Sequence, residues 1–282
     1  MLPMFRLIGR LPLAVLQLAG ALLGQLAYAL SPSYRAKLRR NLALAGYPGR
    51  LRGACARQAG RMVGELAFVW FRPLEAVAAR VVCDDVAVLD AAERDGRGVL
   101  FLTPHLGAFE VTARYYATRR PITVMFKPPK QAPLARVLAA ARTLPTMHSA
   151  PATLAGVRTL LRALRRGEAV GLLPDQVPGE GEGQWVPFFG QPAYTMTLPL
   201  RLAQSSGAVV VLAVGERLRA GAGWRLHLER MQEAPTAAAL NAAMERLIRR
   251  LPTQYLWGYN RYKRPAGARP PASAGAGGGA AA

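Results

Sequence analysis

Apolar and polar positions divide the chain into regions of different character. From Leu11 to Leu30 it is almost entirely Leu, Ala, Val and Gly, interrupted by Pro12, Gln17 and Gln25, and no charged side chain falls between positions 11 and 34. About 20 apolar residues span a bilayer's hydrocarbon core, so this run has the length of a membrane anchor, spanning or lying in the interface. Two other readings compete. Ala27-Tyr28-Ala29 resembles a small-x-small signal-peptide cleavage site, and the segment also suits a buried amphipathic helix. Residues 35–95 read mainly as helix, with Leu38, Leu42 and Leu44, then Met62, Leu66, Phe68, Val69 and Trp70, near helical spacing.

From about residue 96 short apolar runs alternate with helical segments. Strands are expected at 98–103, 122–126, 169–173, 208–214 and 224–230, and helices at 108–118, 133–142, 153–166, 195–206 and 236–250. Short apolar strands between helices predict an α/β fold, with a central, mostly parallel sheet flanked by helices. The last strand alternates Trp224, Leu226 and Leu228 with Arg225, His227 and Glu229, so it should be an edge or half-exposed strand. The organisation reads as an N-terminal anchor at 1–34, a folded body at 35–264 and a Pro/Gly/Ala-rich tail at 265–282 too poor in apolar side chains to form a core.

Charge narrows the partners. With 37 Lys+Arg against 16 Asp+Glu, the chain carries +21 and calls for an anionic partner: nucleic acid, membrane surface or acidic protein. An apolar content of 51% suits contact with lipid, and no nucleic-acid-binding motif is present. Tyr34-Arg35-Ala36-Lys37-Leu38-Arg39-Arg40 follows the apolar run directly. It reads either as a juxtamembrane cluster for anionic headgroups or as a solvated helix face. The positive-inside bias favours a cytoplasmic body, partly offset by Arg6 and Arg10. Cys55 and Cys83 form neither a metal spacing nor a disulfide framework and read as small buried hydrophobes.

The candidate chemistry is concentrated in His105-Leu106-Gly107-Ala108-Phe109-Glu110, directly after the apolar run 98–103. A histidine suits general-base work near neutrality. To activate a hydroxyl it needs an orienting partner on its other nitrogen. Glu110 can meet His105 if the histidine sits in the turn and the glutamate in the first helical turn, with Gly107 permitting a tight approach. The alternative is that His105 merely ends a strand and Glu110 favours a helix N-terminus. His227 should be exposed on its strand, and His148 has no metal-ligand spacing.

The His-x4-Glu hexapeptide is followed in order by Lys127-Pro128-Pro129-Lys130, Arg142, Gly171-Leu172-Leu173-Pro174-Asp175-Gln176, Val186-Pro187-Phe188-Phe189-Gly190 and Tyr255-Leu256-Trp257-Gly258-Tyr259-Asn260-Arg261-Tyr262-Lys263. Over about residues 35–264 this resembles the secondary (late) acyltransferases of bacterial lipid A biosynthesis, within the glycerolipid acyltransferase superfamily. The resemblance implies transfer of a fatty acyl group from acyl carrier protein to a hydroxyl of a phosphorylated lipid A precursor. It places the enzyme at the inner membrane facing the cytoplasm, with anionic lipids as further partners and neither cofactor nor metal. His105 would take the hydroxyl proton and Glu110 would orient it. Lys127, Arg142, Asp175, Gln176 and Arg261 would bind substrate, each with a bland structural alternative. Trp185, Phe188 and Phe189 read either as walls of an acyl groove or as core. The family usually reads His-x-Gly-Asn-Trp-Glu, and this chain carries Ala108 and Phe109 at the divergent positions. Two other readings stay open: an acyltransferase acting on another lipid, and a non-enzymatic basic membrane-binding protein.

Overall fold

The computed structural model describes residues 2–127, 131–142, 144–232 and 235–268, with backbone alone for 132–134 and 136. Five helices occupy the N-terminal quarter: α1 (Leu2–Ile8), α2 (Leu13–Leu30), α3 (Pro32–Leu44), α4 (Arg52–Phe71) and α5 (Leu74–Ala78). The two-residue strand β1 (Val81–Val82) and α6 (Val86–Arg94) lead into the alternating part. There β2 (Val99–Leu102), α7 (Phe109–Ala117), β3 (Ile122–Phe126), α8 (Ala132–Arg142), β4 (Met147–Pro151), α9 (Leu154–Arg165) and β5 (Ala169–Leu172) follow in turn. A hairpin of β6 (Gly183–Phe188) and β7 (Gln191–Met196) precedes α10 (Leu198–Ser206), β8 (Val209–Arg217), β9 (Trp224–Arg230) and α11 (Ala237–Arg250).

The main sheet has the order β1-β9-β8-β2-β5-β3-β4. All its pairings are parallel except β8 with β9. β2, β5 and most of β8 are buried on both faces, as continuous apolar runs require when helices cover both sides. Along β2, Leu100 and Leu102 join α3, α9, α10 and α11 in one core, while Val99 and Phe101 join α6 and α7 in another. β9 has only the two residues of β1 beyond it, so most of its outer edge is unpaired and its burial alternates, as expected.

Within the expected anchor, α2 has the length and mean hydropathy (1.7) of a membrane-crossing helix. It is not detached from the body. Gly20 and Gly24 lie directly on Gly60 and Gly64 of α4, and a Cβ on Gly60 would stand 2.0 Å from the Gly20 carbonyl oxygen. Such small residues let two helix backbones approach closely. The opposite face presents Val15, Leu18, Leu22, Leu23, Leu26 and Leu30, half to nearly three-quarters exposed. Leu13 and Leu16 pack with Phe68, Val69, Ala108 and Val111 in a third apolar cluster. Cys55 and Cys83 are both free thiols; Cys55 is buried, which pushes its thiol up to about 12, and Cys83 is half-buried. From residue 269 on, the expected disordered tail lies outside the described residues.

Candidate active site

Strand register brings the site together. β2 and β5 run parallel with Leu102 opposite Leu172. Three residues beyond each lie His105 and Asp175, so the two meet at the carboxyl edge of the sheet, where open α/β sheets bind ligands. The Asp175 carboxylate receives two bonds from one residue. The His105 backbone N–H donates to Oδ2 at 2.9 Å, and ring Nδ1 lies 2.8 Å from Oδ1. A carboxylate only accepts, so Nδ1 carries the proton and Nε2 keeps its lone pair. The Gln176 amide nitrogen stands 3.3 Å from Nε2. The Phe109 ring packs against the imidazole, with centroids 4.9 Å apart.

The turn that carries His105 is tied on several sides. Its carbonyl accepts from Leu256 N at 3.0 Å. Gly107 N donates to Gln254 O at 3.0 Å, and Ala108 N to Gly215 O at 2.7 Å. Gly107 has φ +62°, and a Cβ there would sit 2.1 Å from the Gly215 oxygen, so both conformation and space demand glycine.

The electrostatics favour a strong base. Burial pulls the His105 imidazole down, but the Asp175 charge and hydrogen bond and the Glu110 charge outweigh it, leaving its pKa above the ordinary value. Burial raises Asp175, yet its bonds and proximity to His105 hold it below the usual carboxylate value. Tyr255 lies against the same carboxylate, and burial together with that charge keeps its hydroxyl well protonated.

Glu110, expected to orient His105, points elsewhere. It sits in the first turn of α7 and forms a short ion pair with Arg142 of α8. Five residues span the turn, and the helix carries the Glu110 side chain past the imidazole rather than onto it. The carboxylate on Nδ1 is Asp175, which was expected to bind substrate. Arg142 lies over the Phe126 ring at 5.3 Å, and its buried Nε has no hydrogen-bond partner among the described residues. A cavity of about 40 Å³ opens beside the pair, lined by Glu110, Arg142 and Phe109 together with apolar residues of β2, β3 and β5. Phe109 thus stands between this cavity and His105. Buried Arg114 supports the wall by donating to the Trp70 carbonyl at 2.7 Å and to Ala141, and burial lowers its pKa to about 10.

The other expected residues fall apart. Gln176 is at the site, and Lys127 is exposed at the end of β3. Arg261 is not available to substrate, because it is 2% exposed and donates to Tyr194 O at 2.8 Å and Thr195 Oγ1 at 2.7 Å, bracing the β6–β7 hairpin. Phe188 and Phe189 are core residues, while Trp185 packs on Tyr194. His227 is half-buried against Glu216 at 2.8 Å rather than free on its strand. Sequence reasoning missed one buried cluster. Arg217 and Glu65, each 1% exposed, form a two-point ion pair, and Gln17 of α2 and Trp224 Nε1 also donate to Glu65. Arg217 donates in addition to the Gly107 carbonyl at 3.2 Å. The signals available were Glu65 as the single acidic residue in the first 74 positions and the paired Gly-x3-Gly spacings of α2 and α4.

Comparison with known proteins gives the family. The chain is 28% identical over 221 residues to the lipid A biosynthesis palmitoleoyltransferase of Escherichia coli K12, covering 75% of this chain and 71% of that protein. It is 28% identical over 214 residues to the lipid A biosynthesis lauroyltransferase of the same strain, covering 72% and 69%. A lipid A biosynthesis acyltransferase of Haemophilus influenzae is 28% identical over 181 residues, covering 60% and 55%. The family described as bacterial lipid A biosynthesis acyltransferase matches residues 2–264, nearly the whole described fold, and the chain belongs to that family.

Proposed function

We propose that the protein transfers a fatty acyl group from the thioester of an acyl carrier protein to a hydroxyl of a phosphorylated lipid A precursor, with His105 as general base. The single observation that carries this reading is the His105–Asp175 pair, which leaves Nε2 as a raised-pKa acceptor at the sheet's carboxyl edge. Nε2 takes the hydroxyl proton as the oxygen attacks the thioester carbonyl. The tetrahedral oxyanion then collapses, the C–S bond breaks, and the imidazolium returns the proton to the leaving thiolate. Asp175 acts as a positioning residue that holds the tautomer and stabilises the imidazolium. The N-terminal amides of α7 and the Arg142 guanidinium are the donors for the oxyanion or an acceptor phosphate. Glu110 fixes Arg142 and adds negative charge that favours the imidazolium.

The net charge of +21 suits an acidic carrier protein, a phosphorylated acceptor and an anionic leaflet. We take α2 to lie in the interface of the inner membrane, with the site on the cytoplasmic side. A spanning α2 would carry Arg57 and Arg61 of the attached α4 into hydrocarbon, which is costly.

The test is an acyl-transfer assay with purified protein and a His105→Ala variant, paired with mass spectrometry of lipid A from a deletion strain. Loss of transfer in the variant, with folding and membrane association retained, is expected, together with loss of one acyl group from lipid A. Undiminished transfer by the variant would remove His105 as the base. An unaltered lipid A would move the activity to another lipid.

A further inference from the structure

Away from the reaction centre, the end of α2, the first half of α3 and the start of α4 line an open cavity of about 260 Å³. It is lined by Tyr28, Pro32, Arg35, Ala36, Arg39 and Arg52. Half of that lining is arginine, and no carboxylate is among it. Arg35 is held in place by the carbonyls of Tyr28 (3.1 Å) and Ala29, two of the unsatisfied acceptors at the C-terminus of α2. Arg52 Nε donates to Gly49 O at 2.8 Å. Arg39 makes no hydrogen bond or ion pair among the described residues.

Arg35 and Arg39 are four apart on one helix, a spacing at which like charges face each other and repel. Nothing local relieves them. The first acidic residue of the chain is Glu65, and Arg217 occupies it in the interior. The cavity therefore has cationic donors in place and no counter-charge of its own.

Its surroundings say what kind of anion fits. Leu22, Leu26 and Leu30 lie on the exposed face of the same helix, round from the cavity-lining Tyr28, with Leu30 72% exposed. An exposed apolar helix face beside a three-arginine pocket suits a membrane surface that presents phosphate heads. Guanidinium groups pair with phosphate oxygens through two-point, charge-assisted bonds.

We infer that this cavity is a binding site for the phosphate group of a membrane lipid, in the bilayer surface that the exposed leucine face of α2 contacts. The inference rests on the reading that α2 contacts the membrane, and it is independent of the acyl-transfer chemistry at His105.

Vesicle flotation of the full chain tests it, using phosphatidylcholine vesicles with and without phosphatidic acid at constant ionic strength. The wild type should float with both and more strongly with phosphatidic acid. Arg39→Gln/Arg52→Gln should keep the phosphatidylcholine binding and lose the added affinity by about ten-fold. Arg94→Gln/Arg97→Gln, at the end of α6 on the opposite face of the sheet, should keep both. The single variant Arg39→Gln, whose side chain bonds to nothing among the described residues, serves if the double variant misfolds. The inference is overturned if the double variant keeps the phosphatidic acid gain, or if the control loses as much. It is overturned also if soluble glycerol phosphate raises the melting temperature of the wild type while phosphatidic acid adds nothing, since the pocket would then serve soluble phosphates. Wild type that floats with neither vesicle would remove the membrane contact itself, a failure separate from that of the arginine pocket.

Discussion

Replacing Asp175 with Asn probes the site through one hydrogen position. The native carboxylate accepts two bonds from His105, from the backbone N–H at 2.9 Å and ring Nδ1–H at 2.8 Å. An asparagine has one oxygen and one NH₂ in the same places. The backbone N–H is a fixed donor, so the amide oxygen must face it and the NH₂ must face Nδ1. Nδ1 then becomes an acceptor and the proton moves to Nε2, the nitrogen that should receive the hydroxyl proton. The fold should survive, because the loss is one charge-assisted bond worth about 1.5–3 kcal/mol. The base should not. The equivalent carboxylate-to-amide swap in a serine hydrolase triad lowers kcat on the order of 10⁴-fold, and here we expect a loss of about 10³–10⁴, or roughly 4–5.5 kcal/mol of activation free energy. Steady-state transfer from an acyl carrier protein thioester should show kcat falling with KM little changed, and ¹⁵N NMR of the imidazole should report the switched tautomer. Near-native kcat in a folded Asp175→Asn protein whose Nδ1 has lost its proton would refute the reasoning.

Glu110→Gln should act differently. Glu110 raises the His105 pKa through its charge, so neutralising it should lower that pKa and move the acid limb of the kcat/KM–pH profile to lower pH, while releasing Arg142. An acid limb that stays put would remove Glu110 from the electrostatics of the base. Gly107→Ala puts a Cβ 2.1 Å from the Gly215 oxygen at φ +62°, so urea unfolding should show a loss of about 2–4 kcal/mol. Glu65→Gln leaves the Arg217 guanidinium buried without its counter-charge and should cost about 3–5 kcal/mol, whereas Glu65→Leu/Arg217→Met should recover much of that loss. Gly60→Val drives side-chain atoms into the Gly20 carbonyl, and limited proteolysis should then cut near Ser31 as α2 leaves α4.

Four of the five expected strands and the helices from α7 to α11 were legible because buried strands read as continuous apolar runs between amphipathic segments, and β9 because it alternates apolar with polar side chains. The elements that escaped lack that signal. β4 reads Met-His-Ser-Ala-Pro, an edge strand whose outward positions are polar. The β6–β7 hairpin turns on Phe189 and Gly190, both at positive φ, with no Asn-Gly or Asp-Gly to mark it. Its second strand therefore merged with the helix expected from 195, which begins at Leu198. At the site, His105 and the edge shared with Asp175 were legible, but their pairing was not. Spacing along the chain suggested Glu110 for the histidine, because local distance is what a sequence displays. The register of two strands some 70 residues apart decides the matter, and it sets His105 against Asp175. Arg261 looked like a phosphate ligand because a basic terminal motif does not reveal which of its charges turn inward.

The buried Glu65–Arg217 pair changes what the apolar N-terminus is. A simple anchor could be pulled away without consequence for the body. Here separating α2 from α4 would break the Gln17 bond to Glu65 and open water to an ion pair that also holds the Gly107 carbonyl behind His105. Leu13 and Leu16 would leave Ala108 and Val111 at the start of α7 in the same step. The first turns of α2 therefore belong to the wall of the reaction centre. Its last turns belong to the arginine cavity, about 20 Å further along at 1.5 Å per residue. A lipid-borne acceptor in the proposed reaction meets a base whose position relative to the exposed leucine ridge is set by packing, not by a flexible linker. Membrane contact along that ridge then fixes how far His105 stands from the headgroup layer, and weakening the α2–α4 contact should impair transfer to a membrane-held acceptor more than transfer to one dispersed in detergent.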